Sequence, residues 1–328
     1  MNTSDPFSTI QHIAGGYCLN RCLHAVAELG VADVLDDTPQ TTTQLAQAVG
    51  ANPDALSRVI RLLAAYQVFE MNGNKVSHSP ASYLLRQDHP QSMRSFARMF
   101  GLSINWKAYE GFYETIQTGQ PSLTSTGSFW EYFATHEKEN HIFNAAMADK
   151  AKGQIYGILG TYDFSAFNHV GDIGGGRGHL LMAILKKTPN VTGILFDLPH
   201  VIDEVKNIAS DRLSLQAGDF FKDDLPECDA YVVMEIIHDW PDAESIAILK
   251  AIRKAAPTNA RLLLIETLVP ENAAPDWSKM LDIHMLTLLG GRQRTQTEYS
   301  TLLGAAGFKL NQVIDTGTGI AILEATPS

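Results

Sequence analysis

The chain has 328 residues, 45% hydrophobic and 19% charged, which gives length and apolar content for two compact domains and argues against disorder. Its formal net charge of −11 removes any global electrostatic reason to bind nucleic acid or an anionic membrane. Three cysteines, Cys18, Cys22 and Cys228, are too few and too scattered for a disulfide framework, and no Cys/His cluster accompanies them, so no metal is expected. The opening "MNTSDPFSTIQ" lacks the basic-then-apolar pattern of a signal peptide, and no stretch is apolar over the length of a membrane span. A cytoplasmic protein is the expectation.

In chain order, "GYCLNRCLHAVAELGVADVL" has helical spacing of apolar residues. "TTTQLAQAVG" starts on Thr caps, and "NPDALSRVIRLLAAYQVF" has Asn52 as a cap with Pro53 at the first helical position. Leu56, Val59, Ile60 and Leu63 form its apolar stripe. "FEMNGNKVSHS" reads as an Asn-Gly hairpin. Helix, helix, hairpin is the outline of a winged helix. Its presumed recognition helix offers only Arg58 and Arg61 among acidic neighbours, so packing between subunits suits it better than reading DNA. Residues 96–152 are again helical and rich in aromatic residues and Met, suited to a core or to the walls of a pocket for a flat molecule.

From about Phe167, short apolar runs alternate with helical patterns: "HVGDIGG", "VTGILFDLP", "LSLQAGDFF", "AYVVMEIIHDW" and "ARLLLIETLVP". That alternation indicates βαβ units and a mostly parallel, doubly wound α/β sheet, with a hairpin added by the last 20 or so residues. The expected domains are 1–100, 101–160 and 161–328. The first strand ends in "GDIGGGRGH", where Gly174, Gly175 and Gly176 follow Asp172; the spacing is not the G-x-G-x-x-G of a dinucleotide loop. Asp197 and Leu198 follow the second strand, about where an acid meets ribose hydroxyls in doubly wound folds. Asp219 and Phe220 follow the third, an acid and an aromatic that suit an adenine. Three acids at successive strand ends beside a glycine loop indicate a nucleoside site.

"DIGGGRG", "FDLP", "GDFF", "IIHDWPD" and "GGRQRTQTEY" together resemble the S-adenosylmethionine-dependent O-methyltransferases of the caffeate, hydroxyindole and phenazine type, over nearly the whole chain. The resemblance implies a Rossmann-like methyltransferase fold with an N-terminal all-helical winged-helix dimerisation domain, and a homodimer. It implies S-adenosylmethionine at Asp172, Gly174, Gly175, Gly176, Asp197, Leu198, Asp219 and Phe220, S-adenosylhomocysteine as product, and a small hydroxylated aromatic acceptor. By the same resemblance His238 is the general base, Glu266 orients it, and Asp239 and Trp240 frame it. Trp106, Phe143, Met147, Asp239 and Met285 are the substrate-lining candidates.

The family's second carboxylate is here Gln293, in "GGRQRT", and Met234 stands where a Lys is common. The amide in place of a carboxylate predicts either a less basic His238 or an acceptor acidic enough to need less help. Two alternatives stand beside methyl transfer: a non-methylating use of the same cofactor, and a nicotinamide dehydrogenase, which the glycine spacing disfavours.

Overall fold

The structure, a computed structural model, describes residues 5–125 and 129–328. The chain divides into two compact units, Met1–Lys107 with Trp130–Lys150, and Ala108–Phe129 with Ala151–Ser328.

In the first unit α1 (Pro6–Leu29) begins well before Gly16, where the helical spacing becomes legible. Asp5 caps it by accepting from the Ser8 amide, and Pro6 occupies the first turn. After β1 (Gln40–Thr41), Thr41 and Gln44 form a reciprocal capping box for α2 (Thr42–Ala48). α3 (Pro53–Ala65) starts at Asn52, which accepts from the Ala55 amide at 3.0 Å, and buries Leu56, Ile60 and Leu63. The hairpin is β2 (Phe69–Asn72) and β3 (Lys75–His78), and β3 also pairs with β1. The expected hairpin is present and joined by β1, so the domain is helical around a three-stranded antiparallel sheet and not all-helical as the resemblance implied.

The hairpin turn also differs from the Asn-Gly reading. Asn72 pairs with Lys75, so the two turn residues are Gly73 and Asn74, with Gly73 at φ +62°. This register keeps Phe69 and Val76 inside the core, and a tight turn with glycine first satisfies it. The presumed recognition helix is no more basic in three dimensions, because Arg58 faces Asp54 one turn away. The long helix α4 (Glu137–Thr161) follows.

The second unit is a seven-stranded sheet: β4 (His169–Ile173), β5 (Thr192–Asp197), β6 (Leu213–Ala217), β7 (Ala230–Met234), β8 (Arg261–Glu266), β9 (Phe308–Asp315) and β10 (Ala321–Pro327). The order is β6-β5-β4-β7-β8-β10-β9; the first five in that row are parallel, and the C-terminal hairpin adds antiparallel. Its principal helices are α5 (His179–Lys187), α6 (Pro199–Glu204), α7 (Asp242–Ala255), α8 (Trp277–Leu288) and α9 (Gln296–Ala305). Side chains of β7 alternate between two cores. Tyr231 and Val233 pack with Ile248, Leu249 and Ile252 of α7, while Ala230 and Val232 pack with Leu180, Leu181 and Ile184 of α5. Burial on both faces is why these strands read as unbroken apolar runs, each buried aliphatic side chain contributing about 1.5–3 kcal/mol. Strand order reverses beside β4, so the carboxyl ends of β4, β5 and β7 surround a crevice suited to ligands.

Candidate active site

The β4 strand hands directly into the glycine loop. Gly176, at φ +57°, donates its amide to Asp197 Oδ2 at 2.8 Å, and Leu198 donates to Asp197 Oδ1 at 2.7 Å. Two backbone amides thus hold the carboxylate at the end of β5, while its remaining lone pairs stay available. Burial raises the Asp197 carboxyl above its ordinary range, against the lowering effect of those amides. Asp172, on β4, is buried, and its Oδ2 has no hydrogen-bond partner. Burial, and then the charge of Asp197, push it up to about 7. Asp219 is turned toward its own loop. Its oxygens accept from the Phe221 amide at 2.9 Å and from Lys222 Nζ at 2.7 Å, and Lys222 lowers its pKa. Phe220 sits edge-on to Trp240, with ring centroids 6.1 Å apart.

After β7 the chain enters a single 3-10 turn, Ile237–Asp239. Glu235, just before it, has φ +53°, a conformation that residues with a β-carbon hold only when their surroundings impose it. His238 is 7% exposed, and its Nδ1 lies 2.7 Å from Glu266 Oε2 at the end of β8, which is itself fully buried. The other Glu266 oxygen accepts from the amides of Ile237 at 2.9 Å and His238 at 3.4 Å. Nε2 lies 3.4 Å from Asp239 Oδ1. Burial alone would lower the imidazole, but Glu266, Asp239 and Glu235 together outweigh it and push His238 up to about 9. With Gln293 in place of a second Glu, His238 still stands above a free imidazole, and Asp239 is one of the carboxylates that raise it. Gln293 is 2% exposed; its backbone amide donates to Asp282 Oδ1 at 2.9 Å, and neither polar atom of its side chain has a partner.

Of the substrate-lining candidates, Asp239 and the buried Met285 of α8 belong to the second unit. Trp106, Phe143 and Met147 belong to the first. The Arg21 guanidinium lies over the Trp106 ring, 5.0 Å from its centroid. Phe143 stacks on Phe133 at 4.8 Å and meets Trp130 edge-on at 6.0 Å, inside an aromatic cluster. Met147 is half-buried on α4.

The O-methyltransferase domain of the protein families matches residues 109–309, and the O-methyltransferase dimerisation domain matches residues 11–88. The chain belongs to the O-methyltransferase family. It is 38% identical to a phenazine O-methyltransferase of Lysobacter antibioticus, over 98% of this chain and 96% of that one. Its fold is similar to a methyltransferase of calicheamicin biosynthesis solved with S-adenosylhomocysteine, at a TM-score of 0.89 and 30% identity, covering 99% and 100% of the two chains. It is also similar to an O-methyltransferase of neocarzinostatin biosynthesis solved with S-adenosylmethionine and a naphthoic acid, at a TM-score of 0.77 and 29% identity, covering 95% and 96%.

Membership of this O-methyltransferase family makes S-adenosylmethionine the methyl donor. The residues present fit it: a buried carboxylate oxygen of Asp172 without a partner, a glycine loop, and an acid at the end of β5 with lone pairs to share. The nicotinamide alternative is set aside by the family match. Among the described residues no group of three or more His, Cys, Asp or Glu could hold a metal ion, and no helix is long and apolar enough to cross a membrane.

Two residues at the site escape a reading of the sequence. Gly291 must be glycine, since a β-carbon there would meet the His238 carbonyl at 2.1 Å, and the amide of Arg292 donates to that carbonyl at 2.8 Å. Arg294 is 1% exposed and lies against the same turn. The "GGRQRT" run contains both, but nothing in it distinguishes a buried arginine from a solvated one.

Proposed function

We propose that this enzyme methylates a hydroxyl of a small aromatic metabolite, with His238 as the general base. The observation that carries the reading is a buried imidazole at the carboxyl end of β7, held through Nδ1 by a buried carboxylate, which leaves Nε2, 3.4 Å from Asp239 Oδ1, as the nitrogen to take the proton. Bound S-adenosylmethionine supplies a methyl group on a positively charged sulfur, ready for in-line displacement. Asp197 holds the ribose hydroxyls, Asp172 and the loop Gly174–Gly176 bind the amino-acid part, and Leu198, Asp219 and Phe220 border the adenine. The acceptor hydroxyl meets Nε2 beside Asp239, and its ring packs against Met285 of the same unit.

The proton balance supports this assignment. A phenol titrates at about 10 and a free imidazole at about 6.5; Glu266 and Asp239 raise His238 toward the phenol, which brings transfer from oxygen to Nε2 closer to level. Aromatic acceptors are supported by the names of the relatives, a phenazine methyltransferase and a structure holding a naphthoic acid. Pairing as a homodimer is supported by the dimerisation-domain match and by α1, where Phe7, Ile10, Ile13 and Tyr17 are between 62% and 73% exposed.

The test is a panel of phenolic, quinonoid and phenazine acceptors with methyl-labelled S-adenosylmethionine, read by mass spectrometry. His238→Ala is expected to lose about 10²- to 10⁴-fold in transfer, with donor affinity by calorimetry unchanged. Near-full activity of the variant on the best acceptor sinks the base assignment. Tight donor binding with no transfer to any acceptor moves the enzyme to a non-methylating use of the cofactor.

A further inference from the structure

We infer that Arg294 is a positioning residue for the base: its guanidinium closes the carbonyl side of the turn carrying His238, as Glu266 closes the amide side. The inference rests on His238 being that base.

A single 3-10 turn between a strand and a helix has no ladder to fix it. Its polar backbone groups are buried here and must find partners. The amides of Ile237 and His238 go to Glu266. The carbonyls go to Arg294: Nη1 donates to Ile237 O at 3.2 Å and Nη2 to Trp240 O at 2.9 Å. The same guanidinium is anchored by Asp242, the first residue of α7, through Nε at 3.0 Å and Nη2 at 2.7 Å, and it also reaches Arg292 O and Ser245 Oγ. Ser245 Oγ, fully buried on α7, lies 3.3 Å from Ile237 O and 3.1 Å from Trp240 O. The turn is therefore tied on one side to β8 and on the other to α7.

Two further observations point the same way. A buried guanidinium is costly unless its donors are used, and here they converge on one short segment, the one bearing the base. The positive φ of Glu235 shows that the chain entering the turn is held in a conformation it would otherwise leave. Lysine cannot replace this fork, because a point charge reaches either Asp242 or a carbonyl, but not the set. Misplacing a catalytic group by about 1 Å costs on the order of 10²-fold in rate.

The experiment compares wild type, Arg294→Lys, Ser245→Ala and His238→Ala for kcat, acceptor KM, donor affinity and pH–rate profile, with folding checked by circular dichroism. Arg294→Lys is expected to lose about 10- to 100-fold in kcat, with donor affinity within a factor of about 3. Its acid limb should move to lower pH, because loosening the contact of Nδ1 with Glu266 lowers the imidazole. Ser245→Ala, the milder member of the same clamp, should lose less kcat with the limb moving the same way; it carries the test if Arg294→Lys does not fold. Folded variants with wild-type kcat, or with reduced kcat and an unmoved limb, overturn the positioning role. Full activity of His238→Ala instead overturns the base assignment on which it rests, whatever Arg294→Lys does.

Discussion

At the scale of the residue, the imidazole between two carboxylates decides the pH behaviour. The folded His238 titrates at about 9, above its ordinary 6.5. A raised value means the proton adds stability that is fully present below 6.5 and is lost as pH rises through 9. The base form gains occupancy over that same upper range. Transfer to an un-ionised phenol should therefore rise with pH up to about 9, while an acceptor already ionised at pH 7 should not show that limb. Glu266→Gln removes the largest raising influence and should shift the limb to lower pH while reducing kcat; an unmoved limb in this variant would mean that His238 does not set it. Gln293 supports a separate prediction. Its side-chain amide is buried with neither polar atom partnered, which costs about 1–3 kcal/mol per group. Gln293→Leu should raise the melting temperature of the ligand-free enzyme by a few degrees, checked by scanning calorimetry. A lower melting temperature would show that the amide has partners in solution. The sequence does show that position 293 is not a carboxylate. It does not show that Asp239 folds back onto Nε2, because that contact depends on the turn geometry set by Glu235, Glu266 and Arg294.

At the scale of the element, the strand ends were the legible part. The apolar runs of β4, β5 and β7 are buried on both faces, so length and composition alone mark where each stops and the first polar residue begins. The N-terminal element was less legible: α1 starts at Pro6, and the mixed polar residues of its first half hide a helix whose apolar side faces outward. On β4, Asp172 gives a prediction of opposite sign to the usual acid. Its folded value, about 7, lies above 3.8, so between these values the folded state binds more protons than the unfolded one and stability falls as pH rises. Asp172→Asn should therefore stabilise the ligand-free enzyme at pH 8 by on the order of a few kcal/mol and confer little at about pH 4. Denaturant melts at the two pH values decide it; equal effects at both would show that Asp172 is not the buried acid described. The same substitution should weaken donor binding, if the carboxylate oxygen without a partner is reserved for the amino-acid part.

At the scale of the whole molecule, the acidic charge argues against nucleic-acid partners, and the winged-helix outline reads better as a dimerisation device, as the family match bears out. The exposed apolar side of α1 is a candidate for the pairing surface that the sequence does not mark. Phe7, Ile10, Ile13 and Tyr17 recur along one side of α1 and stay exposed, although side chains of this size are normally covered. Covering one isoleucine contributes about 1.5–3 kcal/mol, and a twofold interface counts each position twice. A charge at the centre of such a stripe adds the cost of stranding a carboxylate among apolar side chains. The double variant Ile10→Glu with Ile13→Glu should therefore weaken self-association by at least about 100-fold, and sedimentation velocity at micromolar concentration should find it monomeric where the wild type is dimeric. Both positions lie in the first unit, whereas Asp172, Asp197 and the glycine loop lie in the second. Donor affinity in the monomeric variant should accordingly stay within a factor of about 3 of wild type, and a larger loss would mean that the donor site draws on the partner subunit.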